Sequence, residues 1–271
     1  MKRTIVTGLA LLLGAGHGAR ADEHMEITPT SFTVTTADES TIACDLYRDG
    51  PAHDAVLIIC PGFFKSKETP TFQRMARALA VGHDVLCMDF RGHGRSGGLY
   101  TFSAREGADL EAVLALVRER YARIGVLGFS LGGAIAINTL SRNRAQVVSL
   151  MTVGAPCDFK DIEFQWWTPE AIRTGIRGLE RGSGCRPGNP FLKKERPLDH
   201  IAALHPIPVC FVHGDRDATV GVQHSRRLYA AAREPKRLEI IKGGGHAEAL
   251  FRDDPQPFTA LVNGWFDQTL R

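Results

Sequence analysis

The sequence contains no apolar run approaching the roughly 18 residues that a membrane-spanning helix requires. It holds no C-x-x-C pair, which removes the common ligand spacing of a structural zinc site. Nothing in it implies a metal or an organic cofactor. Net charge is also scarce. The formal excess is +3, and Lys2, Arg3 and Arg20 supply all of it, because residues 1–21 contain no acid. Without those three, 30 basic residues face 30 acidic ones. A neutral body lacks the electrostatic footprint of a nucleic-acid or anionic-membrane binder. Internal repeats and low-complexity tracts are absent as well. What is present is an ordinary globular composition over 271 residues, 44% hydrophobic and 23% charged.

The N-terminus reads as an export signal. Lys2 and Arg3 open it, Ile5 to Gly16 form an apolar stretch, and Ala19-Arg20-Ala21 offers a small-x-small cleavage site before Asp22. A signal peptide at 1–21 implies a periplasmic or secreted protein, with the domain occupying 22–271. The competing expectation is initiation at Met25, which would make the protein cytoplasmic. Of the six cysteines, Cys60, Cys87 and Cys210 fall inside apolar runs, where a thiol behaves as a small hydrophobe. Cys157 and Cys185 lie in an irregular segment, the one pair whose setting suits a surface bridge.

From residue 31 onward, short strand-like runs alternate with helical stretches. Ser31–Thr36 and Thr41–Tyr47 alternate polar and apolar residues about Asp38-Glu39, as an opening hairpin does. Ala55–Cys60, Asp84–Phe90, Ile124–Phe129, Val147–Gly154, Val209–His213 and Leu238–Lys242 are runs suited to parallel strands covered on both faces. Helical patterns at Thr71–Ala80, Ala104–Arg120, Leu131–Leu140, Val222–Ala232 and Phe258–Leu270 come between and after them. In the second, Leu110, Val113, Leu114 and Val117 make a 3.6-residue stripe. Such alternation predicts crossover βαβ units and a mostly parallel central sheet flanked by helices. Residues 156–206 break the rhythm with Trp166-Trp167, a Gly-rich knot at Gly182–Gly188, and Pro187, Pro190 and Pro197. That length is too great for a plain loop and predicts an inserted cap.

Gly128-Phe129-Ser130-Leu131-Gly132 follows a strand and opens a helix, the context in which G-x-S-x-G projects a nucleophilic serine from a strained turn. The helix starting at Leu131 aims unpaired amides at developing negative charge. A serine hydroxyl needs a base, and the base needs an orienting acid. His246, led out of a strand by Gly243-Gly244-Gly245, is the candidate base. Asp215 and Asp217, in the loop after His213-Gly214, are both candidate acids. The order serine, acid, histidine is that of α/β-hydrolases.

Four motifs make the resemblance explicit: Cys60-Pro61-Gly62-Phe63, Asp89–Ser96, Gly128–Gly132, and Gly214-Asp215-Arg216-Asp217 with Gly245-His246. Together they resemble the α/β-hydrolase superfamily, in its serine carboxylesterase and serine-aminopeptidase-like branch, over nearly all of the mature chain. The resemblance implies an α/β-hydrolase fold with an inserted cap. It selects Asp217, three positions after the strand-ending glycine, as the acid beside Ser130 and His246, with Asp215 shaping the loop. It also implies an oxyanion hole from the backbone N–H groups of Phe63 and Leu131, with Pro61-Gly62-Phe63 standing where the family has H-G-x. Arg91–Ser96 is then a structural loop, His93 has no catalytic part, and Asp109 and Glu111 are capping or solvated charges.

The expected activity is hydrolysis of a small-molecule carboxylic ester through an acyl-enzyme. Trp166 and Trp167 in the cap would wall the pocket, and Phe63, Phe64 and Phe129 are the next place to seek it. An aminopeptidase or amidase would need carboxylates in the cap, which Asp158, Asp161, Glu163 and Glu170 could supply. A thioesterase or lysophospholipase with the same triad would also fit the sequence, as would a silent binding module on the same fold.

Overall fold

The computed structural model describes residues 27–144, 146–162 and 179–270. The expected signal at 1–21, Met25, Trp166 and Trp167 lie outside them. The strands are β1 (Thr30–Thr35), β2 (Thr41–Tyr47), β3 (Ala55–Cys60), β4 (Asp84–Met88), β5 (Arg123–Phe129), β6 (Val147–Val153), β7 (Val209–Gly214) and β8 (Lys236–Ile241). They form one sheet in the order β1-β2-β4-β3-β5-β6-β7-β8. β1 and β2 pair antiparallel, as do β2 and β4, and every later pairing is parallel. This is the α/β-hydrolase sheet.

Helices α1 (Pro70–Leu79), α2 (Gly107–Val117), α3 (Leu131–Arg142), α4 (Pro197–His200), α5 (Gln223–Ala231), α6 (Ala249–Asp253) and α7 (Pro255–Thr269) cover both faces of it. Two apolar layers result, because neighbours along a strand point to opposite faces. Val56, Ile58 and Cys60 of β3 join one core with the Leu110, Val113, Leu114, Val117 stripe of α2. Leu57 and Ile59 join the other, with Phe72 and Met75 of α1 and Val262 and Phe266 of α7. β3 is buried on both faces, as its continuous apolar run requires.

Helix boundaries depart from the sequence pattern for identifiable reasons. α2 starts at Gly107 rather than Ala104, because Phe102 and Ser103 both hold positive φ, 56° and 78°. The Thr101 N–H donates to the Glu106 carboxylate at 2.5 Å across that turn. α7 starts at Pro255, three residues early, where proline at the first helical turn has its φ already set.

Two expectations are corrected. Asp109 is buried, not solvated: Arg91 Nη2 lies 2.6 Å and Nε 2.8 Å from its Oδ1, and the Arg91 N–H donates to Oδ2 at 2.8 Å. A charge on a helix face looks solvated in sequence until its partner on another segment is known. Cys157 is not at the surface either. Both it and Cys185 are free, and Cys157 Sγ lies buried 3.2 Å from His224 Nδ1.

Between β6 and β7, the described part of the expected cap has three pieces. Phe159–Asp161 forms a 3-10 turn. Residues 180–188 run as a strap over the loops that follow β3 and β4. Gly184 N–H donates to Phe64 O (2.9 Å), Arg186 N–H to Gly92 O (2.7 Å) and Gly188 N–H to Tyr100 O (2.7 Å), while Tyr100 N–H donates to Arg186 O (2.9 Å). Finally α4 and the turn Ile201–Leu204 pack against α3, with the main body of the domain.

Candidate active site

The site lies at the carboxyl ends of the parallel strands, beside the β3/β5 boundary where the order of connection reverses. Open α/β sheets leave a crevice at such a switch point. Each strand end delivers one part. β3 runs into the loop with Phe63, β5 into Ser130, β7 into Asp217, and β8 into the loop with His246.

Ser130 sits on a strained turn, with φ 49° and ψ −118°. Its N–H is held by Val153 O at 2.8 Å. The turn needs glycine nearby: a Cβ on Gly132 would stand 2.3 Å from the Cys60 carbonyl oxygen, and one on Gly62 3.1 Å from the Ser130 Cβ. These close approaches bring the start of α3 and the Phe63 loop to the serine. The N–H groups of Phe63 and Leu131 have no hydrogen-bond partner among the described residues. That leaves two amides beside the hydroxyl.

Ser130 Oγ lies 2.9 Å from His246 Nε2, and His246 Nδ1 lies 2.6 Å from Asp217 Oδ2. The carboxylate is fully engaged. Its Oδ1 accepts the N–H groups of Thr219 (2.8 Å) and Val220 (2.9 Å). Burial alone would raise the Asp217 pKa, yet His246 and His213 outweigh it and hold the group well below the usual carboxylate range. Burial likewise opposes charge on His246. The Asp217 carboxylate, helped by Glu248, overcomes this and raises the imidazole above its ordinary value. Asp215 faces away and accepts the Gly243 N–H at 2.6 Å, so it shapes the loop.

Two contributors, His213 and the Lys65–Glu248 pair, are not singled out by the sequence, and His93 has a task there that the sequence does not show. His213 Nε2 stands 3.2 Å from Asp217 Oδ2 and 2.7 Å from Val220 O, while Nδ1 meets Ser225 Oγ at 2.7 Å. Facing two acceptors, Nε2 carries a proton and gives the acid a second imidazole donor. The only sequence signal is a histidine ending a buried strand. Lys65 Nζ pairs with Glu248 Oε1 at 3.2 Å, both largely buried, which ties the Phe63 loop to the His246 loop. His93 is placed in the structural loop as expected, and it has a specific task there. Its Nε2 accepts the Phe64 N–H at 3.2 Å, and Nδ1 lies 3.2 Å from Arg91 O, so the proton sits on Nδ1. Burial lowers its pKa to about 4 and keeps the ring neutral.

Residues 56–261 match the sequence profile of the Alpha/beta hydrolase family. The chain belongs to that family. Among relatives of this alpha/beta hydrolase, the uncharacterised YqkD of Bacillus subtilis is 29% identical, over 83% of this chain and 74% of its own. The uncharacterised YfhR of Escherichia coli K12 is 28% identical over 62% of this chain and 54% of its own, so the match spans about half of that relative. Solved structures share the fold. The Pyrococcus furiosus esterase Pf2001 superposes with a TM-score of 0.72 at 22% identity, covering 90% of this chain and 94% of that one. The Rhodococcus sp. ECU1013 esterase RhEst1 gives 0.72 at 20% identity, covering 89% and 99%.

Beside Ser130, a cavity of about 340 Å³ is lined by Phe63, Tyr100, Phe102, Leu131, Pro156, Phe159, Ile162, Lys194, Thr219 and Val220. Of the three phenylalanines expected near the pocket, Phe63 lines it. Phe64 does not, and Phe129 is a core residue packed on Phe72 at 5.1 Å between ring centroids.

Proposed function

We propose that this alpha/beta hydrolase cleaves carboxylic esters of small molecules through an acyl-enzyme on Ser130. One observation carries the reading: Ser130 Oγ, both nitrogens of His246 and the Asp217 carboxylate form a continuous hydrogen-bonded line beside two amides that have no partner among the described residues. Ser130 Oγ attacks the acyl carbonyl while His246 Nε2 takes its proton. Asp217 faces the imidazolium through Nδ1. The carbonyl oxygen, now negative, is met by the N–H groups of Phe63 and Leu131, aimed before reaction and therefore without reorganisation. Collapse breaks the bond to the alcohol oxygen, which leaves with the proton from His246. A water molecule then gives a proton to His246 and attacks the acyl carbon. The second collapse returns that proton to Ser130 and frees the acid.

The naming of both structural neighbours as esterases supports the same reading. An aminopeptidase finds little support. Asp158 is engaged by Arg196 at 2.9 Å and Asp161 by Arg227 at 2.7 Å, so neither carboxylate is free for a substrate ammonium. Glu163 and Glu170 lie outside the described residues. The test pairs a fluorophosphonate probe with p-nitrophenyl acetate and aminoacyl anilides. Labelling at Ser130 with turnover of the ester and not the anilides is expected. Absence of label on Ser130, with no turnover of either, would leave the silent binding module as the better reading.

A further inference from the structure

Three rings of the cavity form one cluster. Phe63 stacks on Tyr100 (5.4 Å, 26° between planes), Tyr100 tilts against Phe102 (4.8 Å, 50°), and Phe63 lies 6.0 Å from Phe102. Phe159 is a fourth aromatic in the lining. The polar component is small. Lys194 is the one charged residue in the described lining, and its ammonium donates to the carbonyls of Pro190 and Leu192. No carboxylate lines the cavity among the described residues. The described lining therefore favours an occupant that is largely apolar where it enters.

The cavity also has a side. Ser130, Phe63 and Leu131 line it, and His246 does not. In the mechanism above, the leaving oxygen must lie next to His246 to receive its proton. The cavity thus holds the other half of the ester, the acyl group. Its volume of about 340 Å³ is within the range of small-molecule pockets, so the choice of a ring rests on the aromatic lining.

We infer that this cavity is an acyl pocket for a flat aromatic carboxylic acid, with the Phe63–Tyr100–Phe102 cluster recognising the ring. The inference rests on the ester-hydrolase reading and specifies its substrate class. Phe63 couples recognition to chemistry: its side chain touches the acyl ring while its own N–H meets the oxyanion. Ring-on-ring contact adds stabilisation beyond the burial of area, which a saturated ring of the same carbon count lacks.

The test is a matched pair, p-nitrophenyl benzoate and p-nitrophenyl cyclohexanecarboxylate, which share leaving group and acyl carbon number. Each kcat/KM is divided by the rate constant for hydroxide hydrolysis of the same ester, removing intrinsic reactivity. The expected preference for benzoate is about 2- to 12-fold, the range that aromatic pairing supplies. It should fall toward unity in Phe102→Leu, with Phe159→Leu as the second variant should the first fail to fold. No benzoate preference in the parent protein, or an equal preference in the variants, overturns the inference while leaving ester hydrolysis standing. Failure of both esters together with an unlabelled Ser130 overturns the ester-hydrolase reading and the inference with it.

Discussion

His213 Nε2 meets, at 3.2 Å, the same Asp217 oxygen that His246 Nδ1 meets at 2.6 Å. The carboxylate is thus met by a second imidazole besides its working partner, one with no exposed surface. Its other oxygen is held by two backbone amides, so it has no freedom to swing away from His246.

This relationship predicts the behaviour of His213→Phe. Losing the second donor leaves Asp217 Oδ2 to His246 alone and strengthens its pull on the imidazolium. The acid-side midpoint of kcat/KM should move upward, and kcat should fall on the order of tenfold, as loss of a hydrogen bond to a charged group implies. A variant that loses stability with an unmoved pH profile would make His213 a packing residue only.

Ser130→Ala should retain the parent Tm and lose about a million-fold in kcat, since members of such a triad act as a unit. Stopped-flow and thermal melts on the same preparation check both halves. Residual turnover within tenfold of the parent would place the nucleophile elsewhere.

Asp217→Asn should be far more damaging than Asp215→Asn. An amide at the orienting position favours the wrong imidazole tautomer, a loss of about 10⁴-fold in kcat. Asp215 only accepts a backbone N–H from Gly243, so its amide variant should stay within a few-fold of the parent. A reversed order, with both variants folded, would transfer the acid to Asp215.

Two histidines give opposite pH signatures. His246 must be unprotonated at Nε2 to take the serine proton, and its pKa lies above 6.5, so kcat/KM should fall on the acid side with a midpoint above 6.5. That raised value stabilises the fold at pH below 6.5, a contribution lost as pH rises through the folded-state value. His93 works the other way. Unfolded, it takes a proton near 6.5, but folded only at about 4, so stability should decline as pH drops across that window. His93→Gln keeps an acceptor for the Phe64 N–H and does not titrate. Thermal melts from pH 7 to 4 should show a shallower decline than in the parent.

Lys65→Met should destabilise the protein by about 3–5 kcal/mol, because it strands the Glu248 carboxylate in a mostly buried position. Adding Glu248→Leu should recover most of that stability. Activity should recover less, since the Phe63 and His246 loops stay untied. Chemical denaturation and kcat on the single and double variants separate the two effects.

The scaffold was legible in the sequence because inner strands such as β3 and β4 are buried on both faces, although β8, expected among them, has no buried residue. Runs such as Ala55–Cys60 have no polar alternation to confuse with a surface strand, and the glycines around Ser130 mark a turn whose Cβ atoms would collide. Ser130 and His246 stood out as single candidates at strand ends, whereas Asp215 and Asp217 stayed open on the residues alone and only the family resemblance chose between them. The pairings were not. Arg91 with Asp109, Lys65 with Glu248 and His213 with Asp217 depend on how segments meet in space. A charged or imidazole side chain carries no local mark of its distant partner. The boundary of α2 was displaced for a similar reason, since the Thr101–Glu106 turn competes with helical hydrogen bonding.

The strap at 180–188 bears on any attempt to change specificity by exchanging segments. An insertion between two strands looks like a part that could be swapped with that of another family member. Here Gly184 holds the Phe64 carbonyl at 2.9 Å and Ser66 Oγ donates to Gly182 O at 2.7 Å, on the same loop that carries the Phe63 amide. Thr71, at the start of α1, is bound in turn by Glu180. A chimera cut at the strand ends would exchange the wall of the pocket and release the loop that carries the Phe63 amide together. The workable graft junctions lie inside the insertion, leaving residues 180–188 native.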